Sequence, residues 1–185
     1  MITHQHQYDT LLCHYSNPSE ATLLLRQYRP YFELIPSLRR PSESLISVPM
    51  PVVKLANARD HQNHIQLSCD LAVLMCDPDW KVKTGREIFL FIHRPGEDFS
   101  AMLQRWRQVE MVLGDEYYWL LPWRYRDLLG DKGEFHYPLF VTLDYTPERI
   151  KRGLDGASLP FVEAEVPDLD TPTSVPISEG SIPES

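Results

Sequence analysis

A chain of 185 residues with 43% apolar and 11% aromatic content has the make-up of one globular domain with a sizeable core. The formal net charge is −8, but Gly153–Ser185 holds seven acids and no Lys or Arg, leaving 19 acids against 18 bases before it. No run approaches 18 apolar residues, the three cysteines (Cys13, Cys69, Cys76) form no disulfide framework, and Met1–Tyr15 lacks the pattern of a secretory signal. A spanning helix and a disulfide scaffold are thereby excluded, and a reducing, cytoplasmic setting is expected.

Met1–Tyr15 is polar and rich in His and Gln, and is expected to be a flexible arm or a short edge strand. Asn17 then offers a cap, Pro18 suits the first helical position, and Glu20 stands where a capping-box carboxylate reaches back. Ala21, Leu24, Leu25 and Tyr28 follow at helical spacing until Pro30 ends the helix. Ser44–Leu55 is rich in Val, Ile and Leu, yet Pro49 and Pro51 restrict it to an edge strand or an extended cover. From Ile65 to Met75 apolar and polar residues alternate, which predicts one half-buried strand. Trp80–Lys83 and Glu87–His93 flank Thr84-Gly85 and read as a hairpin.

Phe99, Met102, Leu103, Trp106, Val109 and Leu113 form a single helical stripe, with Glu97 and Asp98 at its start and Gly114 at its end. Tyr117–Leu121 predicts a short strand, and Trp123–Leu129 a helical turn before Gly130. Phe135–Tyr145 alternates as a long strand whose first half Pro138 pushes toward an edge. A short basic helix, Glu148–Arg152, closes at Gly153. Val166–Ser185 has four prolines, six Ser or Thr, four acids and no aromatic residue. Such a segment buries too little apolar surface to offset an ordering cost of roughly 1–2 kcal/mol per residue. The expected organisation is a flexible arm at 1–15, one domain at 16–160 and a disordered acidic Pro/Ser/Thr-rich tail at 161–185. Strands outnumber helices without alternating regularly with them, which predicts an α+β fold: a mostly antiparallel sheet with two or three helices on one face.

No catalytic signature is present: the chain has no Gly-x-Ser-x-Gly elbow, phosphate-cradling loop or dinucleotide fingerprint. No cofactor and no metal are expected. His61 and His64 have a two-residue spacer that suits zinc, but Cys69 and Cys76 on one strand would stand roughly 23 Å apart on opposite faces. The enzymatic alternative is a sheet cleft near His93 and His136, each at the end of an apolar strand.

Basic and aromatic residues interleave twice, in Arg105-Trp106-Arg107 and Trp123-Arg124-Tyr125-Arg126. Trp, Tyr and Arg dominate protein-binding hot spots, and the same types hold nucleic-acid backbone and bases. Trp106 belongs to its helix stripe, which directs Arg105 and Arg107 to solvent. The expectation is a non-catalytic interaction or accessory protein. Its binding surface comprises Trp123, Arg124, Tyr125 and Arg126, with Arg105 and Arg107 as further candidates and the acidic tail as a tether. A protein partner is expected first and nucleic acid second. Thr171 before Pro172, and Ser181 three residues before Glu184, are candidate phosphorylation sites in the tail.

From Phe91 to Gly130 the order is a strand, Arg94-Pro95, an amphipathic helix with Trp106 in its stripe, then Pro122 and Leu128-Leu129-Gly130. This stretch resembles the matrix proteins of rhabdoviruses, sheet-and-helix domains that link nucleocapsid to membrane. The resemblance implies a viral structural role and covers about a fifth of the chain. Met1–Tyr15 departs from it, having neither the basic arm nor the proline-tyrosine motif of that family.

Overall fold

The computed structural model describes residues 3–56, 64–79 and 81–167. Its elements run α1 (His4–Tyr15), α2 (Pro18–Leu25), α3 (Arg29–Phe32), β1 (Leu45–Pro49), β2 (Val52–Leu55), β3 (His64–Gln66), β4 (Leu71–Asp77) and β5 (Val82–Ile92). After these come α4 (Phe99–Leu113), β6 (Tyr117–Trp119), α5 (Trp123–Leu129), β7 (Phe135–Thr142), α6 (Glu148–Gly156) and β8 (Phe161–Glu163). The fold is α+β. A five-stranded sheet has the order β1-β4-β5-β7-β8, and a three-stranded sheet the order β3-β2-β6. Pairing is mostly antiparallel, the exceptions being the parallel β5–β7 and β7–β8 pairs.

The large sheet is buried on both faces. Leu71, Val73 and Met75 of β4, with Ile88, Leu90 and Ile92 of β5, face Leu11, Leu24, Leu25 and Tyr31 of the three N-terminal helices. Ala72, Leu74 and Cys76, with Phe89 and Phe91, face Met102 and Val109 of α4, Ile150 and Leu154 of α6, and the small sheet through Val53 and Trp119. Helices thus cover one face as expected, and the opposite face carries a second helical layer. A strand covered on both sides has no polar positions to spare, which is why Leu71–Cys76 is buried throughout.

Both helix starts with strong signals form as read, and α4 also ends as read. But α2 ends at Leu25 and not at Pro30, which lies within α3, beyond its N-cap Tyr28. The Asn17 side chain accepts from Ser19 N at 2.9 Å, and Asp98 accepts from Ala101 N at 2.7 Å with Gly114 as the C-cap of α4. Glu20 pairs with His14 at 3.0 Å instead of completing a capping box. β1 lies at the edge of its sheet, consistent with Pro49, but Ser44–Leu55 is not one edge strand: Val52–Leu55, beyond both prolines, is a separate strand, β2, central in the small sheet. Pro138 stands in the part of β7 that precedes its pairing with β8, where a missing donor costs no ladder bond on that side.

Five further expectations are corrected. Residues 4–15 are a helix and not a flexible arm: Thr3 caps it, and Tyr8, Leu11 and Tyr15 make a buried stripe at helical spacing. The alternating run Ile65–Met75 is two strands broken at Leu67–Asp70, and Cys69 and Cys76 both pack into the same core cluster. The 80s hairpin is one strand, β5, with Gly85 at φ +76° within it; Trp80 lies outside the described residues. Gly153 does not close α6, because the helix continues past it to Gly156. Finally, the folded unit does not stop at Pro160: β8 pairs parallel with β7 and Ala164 is buried beyond it.

Candidate functional site

The interleaved stretch Trp123-Arg124-Tyr125-Arg126 opens α5, which Pro122 leads into and Gly130 ends. Tyr125 turns inward and packs against the second core cluster. Trp123 turns outward and is 83% exposed, which is unusual for so large an apolar side chain. Arg124 and Arg126 are exposed as well, with the Arg124 guanidinium 4.8 Å from the centroid of the Tyr125 ring.

Next to α5 lies the outer face of the small sheet. Register places His64, Lys54 and Tyr118 in one row across β3, β2 and β6, and Tyr118 bridges onward to Asp131. Residues of the opposite parity, Ile65, Val53 and Trp119, point into the core. Tyr118 and Leu120 stay half exposed on the outer face. Lys54, His64, Tyr118, Trp119, Leu120, Arg126, Gly130 and Asp131 line a groove of about 440 Å³ there. The Trp119 indole at its base is fixed from beneath, since its Nε1–H donates to Glu87 Oε2. Glu87 is buried and also accepts from Tyr117 Oη at 3.2 Å and pairs with His136 Nε2 at 3.1 Å. A Cβ on Gly133 would stand 2.8 Å from the Glu87 side chain and 2.5 Å from Gly85 O, so only glycine fits beside Glu87.

Arg105 overturns the expectation made for it. It does not point to solvent but is buried, and its five N–H donors meet five acceptors. Nε and Nη2 hold Glu97 at 2.8 Å each, Nη1 holds Asp70 at 2.9 Å and Ser68 O at 3.4 Å, and Nη2 holds Ile92 O at 2.8 Å. Asp70, fully buried, also accepts from Ile92 N at 2.7 Å, from Arg94 Nη2 at 3.1 Å and from the Tyr8 hydroxyl. Burial works against the Arg105 charge, but Asp70 and Glu97 outweigh it and raise its pKa above the ordinary value. Burial, reinforced by the Asp70 charge, pushes the Tyr8 hydroxyl up to about 12. Arg107 alone of that pair is exposed.

His93 and His136 do not share a cleft. His136 is in register with Glu87, and His93 lies six residues further along the sheet, roughly 20 Å away at about 3.3 Å per residue. His93 is buried, with Nδ1 3.0 Å from Thr146 Oγ1 and Nε2 2.7 Å from Glu97 O. Among the described residues no group of three metal-ligating side chains comes together; His61 lies outside them, as do Thr171 and Ser181. No described helix is long and apolar enough to cross a membrane.

No protein-family model, curated protein or solved structure matches the chain. The likeness to rhabdovirus matrix proteins therefore gains no support, and the site's own geometry carries the functional argument.

Proposed function

We propose that this chain is a non-catalytic protein-interaction module that recognises its partner through α5 and the adjoining outer face of the small sheet. The observation that carries this reading is the 83% exposure of Trp123 beside Arg124 and Arg126, with half-exposed Tyr118 and Leu120 next to them. Burying an indole and two such side chains on a partner is the largest apolar gain this surface offers. Trp, Tyr and Arg are also the types whose removal most weakens interfaces. The acidic segment after Pro167 serves in this reading as a tether. The polar clusters around Asp70 and Glu87 are ordered and inward-facing, which suits bracing the fold more than turning over a substrate.

The test is affinity capture from the native source with the full chain, with Trp123→Ala and with Arg124→Ala/Arg126→Ala. Trp123→Ala should lose the partner while the melting temperature stays put. Undiminished capture by both variants overturns the reading. A truncation used to separate body from tail must end at Pro167, because ending at Pro160 removes β8.

A further inference from the structure

The interaction surface continues onto a sheet edge that no described strand pairs. Val53 pairs with Ile65, and Leu67 N donates to Pro51 O at 3.0 Å, so Ile65 and Leu67 turn their peptide groups toward β2. By the antiparallel alternation, His64 and Gln66 turn theirs the other way. Among the described residues β3 has no neighbouring strand on that side, and no backbone bond reaches it there. The opposite edge of the small sheet is closed, with Trp119 N donating to Gly130 O at 2.7 Å and Tyr118 bridging to Asp131. A half-open sheet is a template for strand addition.

The same face carries an exposed cation at the β2–β3 end. On the β2–β3 side, Lys54 and His64 are exposed, and Lys54 has no carboxylate partner among the described residues. The acids Glu116, Asp127 and Asp131 lie on the β6 and α5 side, interspersed there with the exposed Arg124 and Arg126. A strand added at β3 therefore meets Lys54 before any of these acids. Tyr118 is the one large aromatic side chain in the His64–Lys54–Tyr118 row, too few for base stacking along a nucleic-acid strand.

We propose that this outer edge of β3 takes up an extended acidic segment of the partner protein, pairing its backbone with His64 and Gln66 and setting its acids against Lys54, with Arg126 in the same groove. This rests on the reading of the region as an interaction surface, and it names the mode and the partner's chemistry.

The probe is a fluorescent ten-residue peptide of alternating Asp and Val, with a Lys–Val peptide and a ten-nucleotide oligo-dT as comparisons, added to the full chain. Tighter binding of the Asp–Val peptide, by about tenfold over Lys–Val, is expected from charge alone. Pairing should slow amide exchange at His64 and Gln66 by about tenfold, an effect that loose ionic contact does not produce. Lys54→Glu, at an exposed site, should weaken the peptide about tenfold; Gln66→Pro should do the same by removing an edge donor. If Gln66→Pro does not fold, Lys54→Glu and the exchange data still decide. Equal or better binding of Lys–Val or oligo-dT overturns the proposal, as does unchanged exchange at the two edge amides. A chain ending at Pro167 that binds the probe far more tightly than the full chain also overturns it, because this protein's own acidic end would then be the occupant. Loss of natural-partner capture by Trp123→Ala with no specific peptide binding would leave the interaction surface standing and remove only the edge.

Discussion

Arg105 and Arg126 each stand one residue from an aromatic ring in sequence, and the fold uses them in opposite ways. Arg105 is sealed in, with every donor satisfied by Asp70, Glu97 and two carbonyls. Arg126 lines an open groove beside an exposed indole. The neighbouring ring does not distinguish them; the acids do. Asp70 is brought to Arg105 from 35 residues away, and Glu97 from eight. A charged side chain leaves water only where opposite charges and hydrogen bonds replace its hydration, so one arginine became part of the core and the other remained available.

The sharpest way to break this comparison is to remove Arg105. Arg105→Met keeps much of the volume but leaves Asp70 and Glu97 as buried carboxylates without their main counter-charge. Urea denaturation should show a loss of about 3–5 kcal/mol, the range for breaking one partner of a buried pair. A loss below about 1 kcal/mol would mean that the cluster is wet and that the two arginines are not so different after all.

Tyr8→Phe is the next test. It deletes one hydrogen bond to the buried Asp70 carboxylate and should cost about 1–3 kcal/mol. Because Tyr8 is the link from α1 to this cluster, amide exchange within α1 should rise before that of β4 and β5.

The same packing sets an alkaline limit. Burial pushes Tyr8 and Tyr15 up to about 12 from an ordinary 10.0, and raises Tyr31, Tyr117 and Tyr145 as well. Above pH 10.0 the unfolded chain loses these protons while the folded protein keeps them. The unfolded state then binds fewer protons, so stability falls with rising pH. The contribution is complete below pH 10.0 and is lost as the pH climbs toward 12. Thermal melts from pH 9 upward, with tyrosinate absorbance followed on the same samples, should show delayed ionisation together with a falling melting temperature. Tyrosines that all ionise near the ordinary value would contradict the burial of α1.

What the sequence disclosed follows from how local each cause is. The start of α2 and both ends of α4 were readable because Asn17, Asp98 and Gly114 act within a turn of themselves. The break at Leu67–Asp70 was not, because the alternation there is uninterrupted and the reason for the break is long-range. Asp70 is held by Arg94 and Arg105, which lie 24 and 35 residues on. Gly153 misled for a similar reason. Its missing side chain makes room for Phe99, whose ring would stand 3.0–3.1 Å from an added Cβ, so it marks a helix contact and not a helix end. In the candidate site, the exposure of Trp123, Arg124 and Arg126 agrees with their reading as surface residues. The row of His64, Lys54 and Tyr118 was hidden, because three strands distant in sequence had first to be set in register.

The smallest expected effect is also the one that separates the two arginine environments most cleanly. Arg124→Ala/Arg126→Ala removes two charges with no carboxylate partner among the described residues. The stacking of Arg124 on Tyr125 goes with them, and at an exposed site it contributes about 0.5–1 kcal/mol. Alanine's higher helix propensity at two positions of α5 returns a few tenths of that. Stability should therefore change by less than about 1 kcal/mol, against the several kcal/mol expected for Arg105→Met. Denaturation curves for the two variants, run side by side, measure that gap. A large loss from the α5 pair would place Arg124 and Arg126 in the framework of the fold and take them out of the binding surface.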